Sequence, residues 1–276
     1  QFEQNIQFSI TRNSSLGQLM KVFVDEGLLL LALSYSNSYL LYSFRTGSEL
    51  QKIYESPQQT GFITAISVDI LHDPKSARSV LFICCASADG SFSVQQIVVD
   101  KQIRIVPQPC SMIHNAPIID VDVCASLGIV ATIDTSHHLA LSLLEKTKLV
   151  QSTVLQGDPS RVVISPSGLI IVCVDVDLGN LHQTLIQLMN SQCEIINSTI
   201  FDDRVINAQL VVCPKNAHEF LMITTAENNI CFFDFFSLRV VKAGRLSKGI
   251  NNACCNWKTR RVYVTLDDGS VVVAEL

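Results

Sequence analysis

Charged residues are scarce in this sequence: they make up 16% of the chain, against roughly a quarter in an average globular protein. The formal net charge is −5, and neither sign forms a long run. The densest basic group is Lys258, Arg260 and Arg261, a set small enough to be a solvated turn. Because proteins neutralise nucleic-acid phosphates with clustered Lys and Arg, the composition argues against a nucleic-acid partner.

Long apolar runs are also missing. The strongest run, residues 28–33, ends at the polar stretch 34–38, and none approaches the roughly 18 residues of a membrane-spanning helix. Hydrophobic residues nevertheless make up 48% of the chain, which is enough to bury a large core. The sequence therefore predicts a compact protein built mostly of short strands, with nothing that spans a membrane.

Familiar catalytic motifs are missing as well: the chain has no Gly-rich phosphate loop, nucleophile elbow or His–Glu metal helix. The nearest approach to an acid/base group is Ser136, His137 and His138 beside Asp134. Adjacent residues of a strand point to opposite sides, so the two imidazoles should not converge on one atom. We predict no catalytic residue and no enzyme activity.

Metal and cofactor motifs are incomplete. The Cys pairs at 84–85 and 254–255 are adjacent, whereas structural zinc sites use Cys residues two to four positions apart. Asp175, Asp177 and Gly179 resemble a calcium loop that lacks its third acidic ligand and its distal Glu. The sequence predicts neither a metal nor a cofactor.

The chain contains ten Cys residues, yet they do not form a disulfide framework. Most of them lie inside apolar strands, at positions 84, 85, 124, 173, 213, 231 and 255. This placement predicts buried free thiols and a reducing compartment. Two glycosylation sequons, at 13–15 and 197–199, point weakly the other way.

What the chain does contain is a repeat of short strands. Residues 40–50 read LLYSFRTGSEL, an alternating strand followed by a Thr-Gly turn and a second strand. Apolar strands at 28–34 and 19–24 precede it, so four strands form one small sheet. Such a sheet has bare edges and an uncovered face, and it therefore needs similar neighbours to be stable.

A repeating pair of residues in the first strand defines the period. The pairs are Val22/Val24, Ile66/Val68, Val121/Val123, Val162/Ile164, Ala208/Leu210 and Ala253/Cys255. They stand 44, 55, 41, 46 and 45 residues apart, and the long step contains a polar insertion at 71–79. A period of about 40 to 45 residues with four strands is typical of a WD-repeat β-propeller. We predict an all-β, WD-repeat-like β-propeller with six detectable four-stranded blades, six or seven in the complete ring.

The repeat organises the whole chain, residues 1–276, as one domain without a linker. Residues 1–15 alternate at Ile6, Phe8 and Ile10 and are expected to supply the fourth strand of the last unit. Since the repeat is already under way by Leu19, we expect the sequence to be the C-terminal part of a longer protein. The predicted units are 19–55, 62–108, 117–155, 161–199, 205–246 and 250–276.

The usual WD-repeat markers are weak here. The Gly-His pair that precedes each unit in the family is missing, and Trp-Asp at the end of the third strand is approached only by Phe233-Asp234. We therefore expect packing, rather than buried His/Asp networks, to hold most blades together.

Three segments carry a closer resemblance. They are APIIDVDVCASLGIVATIDTSHHLALSLLEKTKLVQS at 116–152, RVVISPSGLIIVCV at 161–174 and DDGSVVVAEL at 267–276. The order of these patterns, over residues 118–276, resembles the C-terminal propeller of BEACH-domain proteins, the neurobeachin and lysosomal-trafficking-regulator group.

The resemblance implies a non-catalytic, cytoplasmic scaffold in vesicle and membrane trafficking. It implies protein partners, a BEACH domain upstream in the same chain, and peripheral membrane association through those partners. One alternative is a generic WD-repeat adaptor in ubiquitin ligation, signalling or coat assembly. Another is a propeller hydrolase or lyase with a site at the central channel, although only Asp120 and Asp122 are charged on the predicted innermost strands.

An aromatic cluster around Asp234 is one candidate partner site. Alternation sends Phe233 and Phe235 to one side of the strand and Phe232 and Phe236 to the other. Because neighbouring blades cover both faces of a blade, core packing is the favoured interpretation and an exposed partner site the alternative.

Two rim segments are the other candidate partner sites, since exposed loops on a rigid scaffold commonly carry binding residues. One is the insertion 71–79, which contains His72 and Lys75, and the other is the turn 214–218, which contains Lys215. The sequence predicts partner contacts at these residues.

Overall fold

The computed structural model describes residues 20–25, 28–35, 37–45, 51–58, 61–73, 78–99, 103–107, 110–177, 182–213, 215–256 and 260–275. The regular elements in these ranges are 24 β-strands. Within these ranges no helix is long and apolar enough to cross a membrane. The predicted closing strand, residues 1–15, lies outside the described residues.

The strands form six sheets in chain order, which we call blades 1 to 6. Blade 1 contains β1 (Met20–Asp25), β2 (Leu28–Tyr35), β3 (Ser38–Arg45) and β4 (Gln51–Glu55). Blade 2 contains β5 (Ile63–Asp73), β6 (Arg78–Ser87), β7 (Ser91–Val99), β8 (Ile103–Pro107) and β9 (Ser111–Met112). Blade 3 contains β10 (Ile118–Cys124), β11 (Ile129–Asp134), β12 (His138–Leu143) and β13 (Leu149–Val154).

The second half of the chain continues the same order. Blade 4 contains β14 (Asp158–Ile164), β15 (Ile170–Asp177), β16 (His182–Met189) and β17 (Ile195–Phe201). Blade 5 contains β18 (Val205–Val212), β19 (Glu219–Thr225), β20 (Asn229–Asp234) and β21 (Val240–Arg245). Blade 6 contains β22 (Ile250–Asn256), β23 (Arg261–Leu266) and β24 (Val271–Glu275). Paired strands are antiparallel, and the predicted all-β propeller of up-and-down blades is confirmed.

A β-bulge repeats at the start of the first strand in blades 2 to 6. In each of these blades the register shifts so that one residue has no direct partner on the second strand. The extra residues are Thr64, Ile119, Ser160, Ile206 and Asn251. They stand 55, 41, 46 and 45 residues apart, the same steps as the apolar pairs in the sequence. The bulge is therefore part of the repeating unit. A bulge bends its strand and changes the direction in which the side chains after it point.

The polar insertion at 71–79 differs from its prediction as a loop. It lengthens the first hairpin of blade 2, because β5 runs to Asp73 and pairs with β6 from Arg78. His72 pairs with Ser79 in this extension. A β-ladder is held by backbone hydrogen bonds, so polar side chains do not prevent strands from continuing beyond the core.

One tight turn in blade 2 requires glycine. Gly90 follows Asp89 between β6 and β7 and has a φ of 85°. An added Cβ there would collide with the carbonyl oxygen of His114. Both the left-handed backbone and the close approach of the next blade's segment exclude other residues.

The core consists of apolar clusters between neighbouring blades, as strand β15 illustrates. Val172 and Val174 pack towards blade 3, in a cluster with Ile133. Ile171 and Cys173 pack towards blade 5, in a different cluster. Because the side chains alternate and both faces are covered, this strand is apolar at nearly every position.

The first strands of the blades face one another at the inner side of the propeller. Strand β10 contacts β5 on one side and β14 on the other, and β14 in turn contacts β18. The fourth strand of each of blades 1 to 5 is consequently at the outer perimeter. This arrangement decides which polar groups hold the blades together and which side chains remain exposed.

Candidate interaction surface

The acidic residues of the inner strands connect blades by hydrogen bonds. Asp122 on β10 accepts one from the Ser67 hydroxyl of blade 2 at 2.7 Å and one from the Ile164 N–H of blade 4 at 2.9 Å. Asp120 accepts from the Val162 N–H at 3.0 Å. The two carboxylates considered as channel charges are thus bound to neighbouring strands.

A third carboxylate on the inner strands repeats this arrangement between blades 2 and 3. Asp69 Oδ2 accepts a hydrogen bond from the Ala125 N–H at 2.7 Å, and its Oδ1 accepts from the Ile70 N–H at 2.8 Å. Backbone N–H groups need hydrogen-bond partners when they are buried. Aspartates of blades 2 and 3 therefore connect the inner segments of three successive blades, 2 to 4.

A buried polar network lies in blade 3, whereas packing was expected to hold most blades together. His114 Nδ1 is 2.8 Å from Asp134 Oδ2, and His114 Nε2 is 2.8 Å from Thr132 Oγ1. Both the His114 and Asp134 side chains are 2% exposed. Burial lowers the pKa of His114, while the Asp134 carboxylate opposes that shift. A neutral imidazole that donates from Nδ1 and accepts at Nε2 satisfies the network.

Asp134 also organises the turn that follows it. Its Oδ1 accepts hydrogen bonds from the N–H groups of Ser136 at 2.9 Å and His138 at 2.8 Å. The carboxylate therefore links His114 from the preceding segment to the β11–β12 hairpin. Such a link fixes how the segment before a blade docks onto it.

The adjacent residues His137 and His138 diverge, as predicted. His137 Nδ1 lies 2.6 Å from the Gly157 carbonyl, and its backbone has a φ of 65°. His138 Nδ1 lies 3.6 Å from Asp134 Oδ1 instead. The two imidazoles contact different partners, so they do not form one acid/base site.

Asp175, one of the three residues that resemble a calcium loop, is engaged by its own neighbours. Its Oδ1 accepts hydrogen bonds from the hydroxyls of Ser160 and Thr184, and its Oδ2 accepts from Arg204 Nε at 3.1 Å. Gly179 lies outside the described residues. The part of the chain that the structure describes contains no group of three or more His, Cys, Asp or Glu residues placed to hold a metal ion.

The ten cysteines are all free thiols in the structure. Cys84, Cys85 and Cys173 are completely buried in strands. Burial raises the pKa of Cys173 to about 12, so this thiol stays protonated at neutral pH. Cys110 and Cys254 are the exposed ones.

The aromatic cluster around Asp234 is divided between core and surface. Phe233 and Phe235 are 2% and 0% exposed and pack with the cluster between blades 4 and 5. Phe232 packs on the opposite face, towards blade 6, and Phe236 is 48% exposed. Phe233 and Phe235 are buried between blades 4 and 5, so they could contact a partner protein only if these blades separated. Phe236 is therefore the side chain of this cluster that is exposed for contact with a partner.

The proposed rim residues lie in different parts of the propeller. His72 is in the lengthened hairpin of blade 2, and Lys75 lies outside the described residues. Lys215 is exposed in the turn between β18 and β19 of blade 5. Lys215 and His72 therefore lie three blades apart, each at the hairpin between the first and second strands of its blade.

An exposed apolar surface lies elsewhere, on the last strands of blades 3 to 5. Each of these strands begins with a bulge and two adjacent apolar residues, at 149–150, 195–196 and 240–241. All six side chains are exposed, and Val154 and Ile200 further along are 66% and 63% exposed. We call these side chains, together with Phe236, the perimeter patch.

The sequence contained a signal for this patch. Residues 149–154 read LVQSTV and residues 195–200 read IINSTI, the same pattern one repeat apart. Their amide side chains act alike, because Gln151 donates to the Gln192 carbonyl and Asn197 to the Phe236 carbonyl of the following blade. Whether a strand is the outermost one of its blade, however, is known only once the strands are assigned to sheets.

The comparisons with known proteins identify a fold rather than a family. No protein-family model matches this chain, and no curated protein matches it. Among solved structures, it is similar to a chain of "Crystal Structure of Mitotic Checkpoint Complex", with a TM-score of 0.67 and 10% sequence identity. The match covers 93% of this chain and 73% of the other. At that identity the likeness shows a shared β-propeller architecture alone.

Proposed function

We propose that this chain is a non-catalytic protein-interaction scaffold, the C-terminal propeller of a BEACH-type protein in vesicle and membrane trafficking. The observation that carries the interaction role is the perimeter patch, which exposes apolar side chains on three consecutive blades. Exposed apolar side chains favour protein contacts, because their burial in a complex removes them from water. The repeat pattern of residues 118–276 supports the BEACH-type part of the proposal.

The polar chemistry of the inner strands supports a scaffold over an enzyme. Asp69, Asp120 and Asp122 all accept hydrogen bonds from backbone N–H groups, which suits holding blades together rather than reacting with a substrate. The His114–Asp134 pair is buried with its hydrogen bonds made inside blade 3. Rigid blades with different exposed edge strands are suited to binding partner proteins.

The partners in this proposal are proteins, together with an upstream BEACH domain in the same chain. Contacts at the rim by Lys215, His72 and Lys75 belong to the proposal as secondary sites. Membrane association would be peripheral and would depend on the recruited partners. The proposed location is therefore cytoplasmic, at vesicle surfaces.

Proximity labelling in cells tests this function. The protein that carries residues 1–276 is compared with a form that lacks them, and we expect the deletion to remove vesicle-associated partners. Unchanged partners would overturn the recruiting role. Recovery of ubiquitin-ligation, signalling or coat-assembly partners in place of vesicle proteins would favour the generic adaptor.

A pair of charged substitutions in the perimeter patch locates the contact. Val154→Asp combined with Ile200→Asp should weaken recruitment, since the charges would lose their hydration in an apolar interface. Gln156→Asp combined with Ser191→Asp adds the same charge at exposed polar positions and serves as the control. Equal labelling of partners by both variants would show that the contact lies outside the perimeter patch.

A further inference from the structure

The outermost strands of the blades differ in how they protect their open edges. Natural edge strands commonly carry charge or proline, which discourages another chain from pairing with their unpaired backbone groups. Of the five fourth strands that the structure describes, in blades 1 to 5, three follow this rule: β4 contains Lys52 and Glu55, β8 contains Arg104 and Pro107, and β21 contains Lys242 and Arg245. Strands β13 and β17 contain neither charge nor proline.

Among the described residues no strand pairs with the outer edge of β17, and the exposed face of this strand is apolar. Ile196, Ser198 and Ile200 alternate along one face, and both isoleucines are more than half exposed. After the bulge at its start, residues 197–201 pair with β16 without a further register shift. Asn197 also donates to the Phe236 carbonyl at 3.1 Å, which ties the strand to blade 5. The edge is thus regular and held in place.

Acidic side chains flank this strand at both ends. Glu194 precedes it and Asp202 follows it, and both are exposed. Their hydrogen-bond partners are neutral amides, Asn190 for Glu194 and Gln183 for Asp202. The nearby Arg204 is paired with Asp175 instead. Both ends of the β17 edge are therefore negative, around an uncharged centre.

These flanking charges disfavour pairing of β17 with a second copy of itself. An antiparallel pair centred on Ser198 would set Glu194 of one copy opposite Asp202 of the other, at both ends. Like charges directly opposite one another destabilise a strand pair. The same two carboxylates would attract a partner strand that carries cations at its ends.

We propose that the edge of β17 binds an extended protein segment that is apolar and β-branched in its centre and carries Lys or Arg at both ends. The segment would add an antiparallel strand to blade 4, with backbone hydrogen bonds for affinity and contacts to Ile196 and Ile200 for side-chain preference. Its cations would face Glu194 and Asp202. This inference rests on the proposed interaction role and names the chemistry of the partner.

Strand β13 is a natural comparison within the same molecule. It has the same residue pattern and the same exposed face, with Val150 and Val154 in place of the isoleucines. Its flanking residues, however, are Lys148 and Gln156 instead of two acids. If the backbone edge and the apolar face alone decided binding, β13 and β17 would bind the same segments. If the flanking acids select the partner, only β17 would prefer a segment with basic ends.

Fluorescence anisotropy with labelled peptides tests the inference on the 276-residue chain. The probe is a capped peptide of alternating Val and Thr with Lys at each end, long enough to span residues 194–202. The control peptide has Glu at each end. Two exposed ion pairs predict a preference for the Lys-ended peptide of about fivefold. In the double variant Glu194→Lys, Asp202→Lys the preference should reverse.

A Lys in the middle of the edge locates the binding site. Ser198→Lys imitates the protected strands and should abolish binding of the Lys-ended peptide, whereas Ser152→Lys, the same change on β13, should leave it unchanged. Loss caused by Ser152→Lys would overturn the assignment to β17. Unchanged binding in both variants would do the same.

Other results of the peptide experiment would also overturn the proposal. Absence of binding, or equal affinity for both peptides, would overturn the proposed partner chemistry. Concentration-dependent self-association that Ser198→Lys removes would identify a second copy of the chain as the occupant and overturn it as well. Partner recruitment in cells can fail or succeed independently of peptide binding, so the two proposals are separable.

Discussion

The Asp122 carboxylate accepts a hydrogen bond from the Ile164 N–H at 2.9 Å and thereby joins the first strands of blades 3 and 4. The same carboxylate accepts from the Ser67 hydroxyl of blade 2 at 2.7 Å. One side chain thus contacts three consecutive blades. Apolar packing between blades is nondirectional, whereas these bonds fix the register of one inner strand against the next.

Substitution Asp122→Ala should therefore destabilise the propeller. It removes two inter-blade hydrogen bonds and leaves the Ile164 N–H without this acceptor, so we expect a loss of about 1 to 3 kcal/mol. The free energy of unfolding in urea measures the change. Asp158→Ala is the control, because that side chain is 84% exposed and should change stability by at most about 0.5 kcal/mol. Equal effects of the two substitutions would contradict the inter-blade role.

The His114 network predicts a specific pH dependence of stability. Burial lowers the pKa of His114 below its ordinary value of 6.5, so the native state keeps this imidazole neutral where the unfolded chain is protonated. Below about pH 6.5 the unfolded state therefore binds the extra proton, and the stability contributed by His114 is lost as the pH falls. Above that pH it is fully present. The free energy of unfolding, measured from about pH 5 to 8, should rise through this window.

A substitution assigns that pH dependence to one residue. His114→Gln should flatten the rise and lower the stability at neutral pH, since Asp134 and Thr132 lose their shared partner. His138→Gln is the matched control, because this imidazole is 47% exposed. A rise that persists in His114→Gln would mean that another group titrates.

The repeat was predictable from sequence because it is governed by alternation. In β15, Ile171 and Cys173 face one blade while Val172 and Val174 face the other, and this pattern is legible without coordinates. A bulge is different, because it depends on which residues of two strands pair. Thr64 and Ile119 look like ordinary strand residues until their partners are known.

The polar connections were less predictable, and His114 shows why. The family marker is a Gly-His pair, and this chain has Ile113 before His114, so the pattern did not identify the network. Its partner Asp134 is 20 residues away and is recognised only through the fold. Asp120 and Asp122 were recognised as inner charges, but their bonds to Val162 and Ile164 require the position of blade 4.

Phe233 and Phe236, the buried and the exposed side of the aromatic cluster, allow a matched pair of substitutions. Phe233→Ala should destabilise the protein by about 3 to 5 kcal/mol, because it leaves a cavity between blades 4 and 5 beside Phe201. Phe236→Ala should cost far less, since that ring is 48% exposed. Thermal unfolding compares the variants. A small effect of Phe233→Ala would mean that the two blades can close the space, and similar losses from both would contradict the division into core and surface.

Alkylation of the cysteines tests burial across the whole propeller. A thiol reacts as its thiolate, so exposure and a low pKa both speed the reaction. Cys110 is exposed and should react first in the native protein, with Cys254 slower because desolvation raises its pKa. Cys84, Cys85 and Cys173 are fully buried with raised pKa values and should react only after unfolding. Mass spectrometry after timed iodoacetamide treatment follows each site, and early modification of Cys173 would show that blades 4 and 5 separate in the native state.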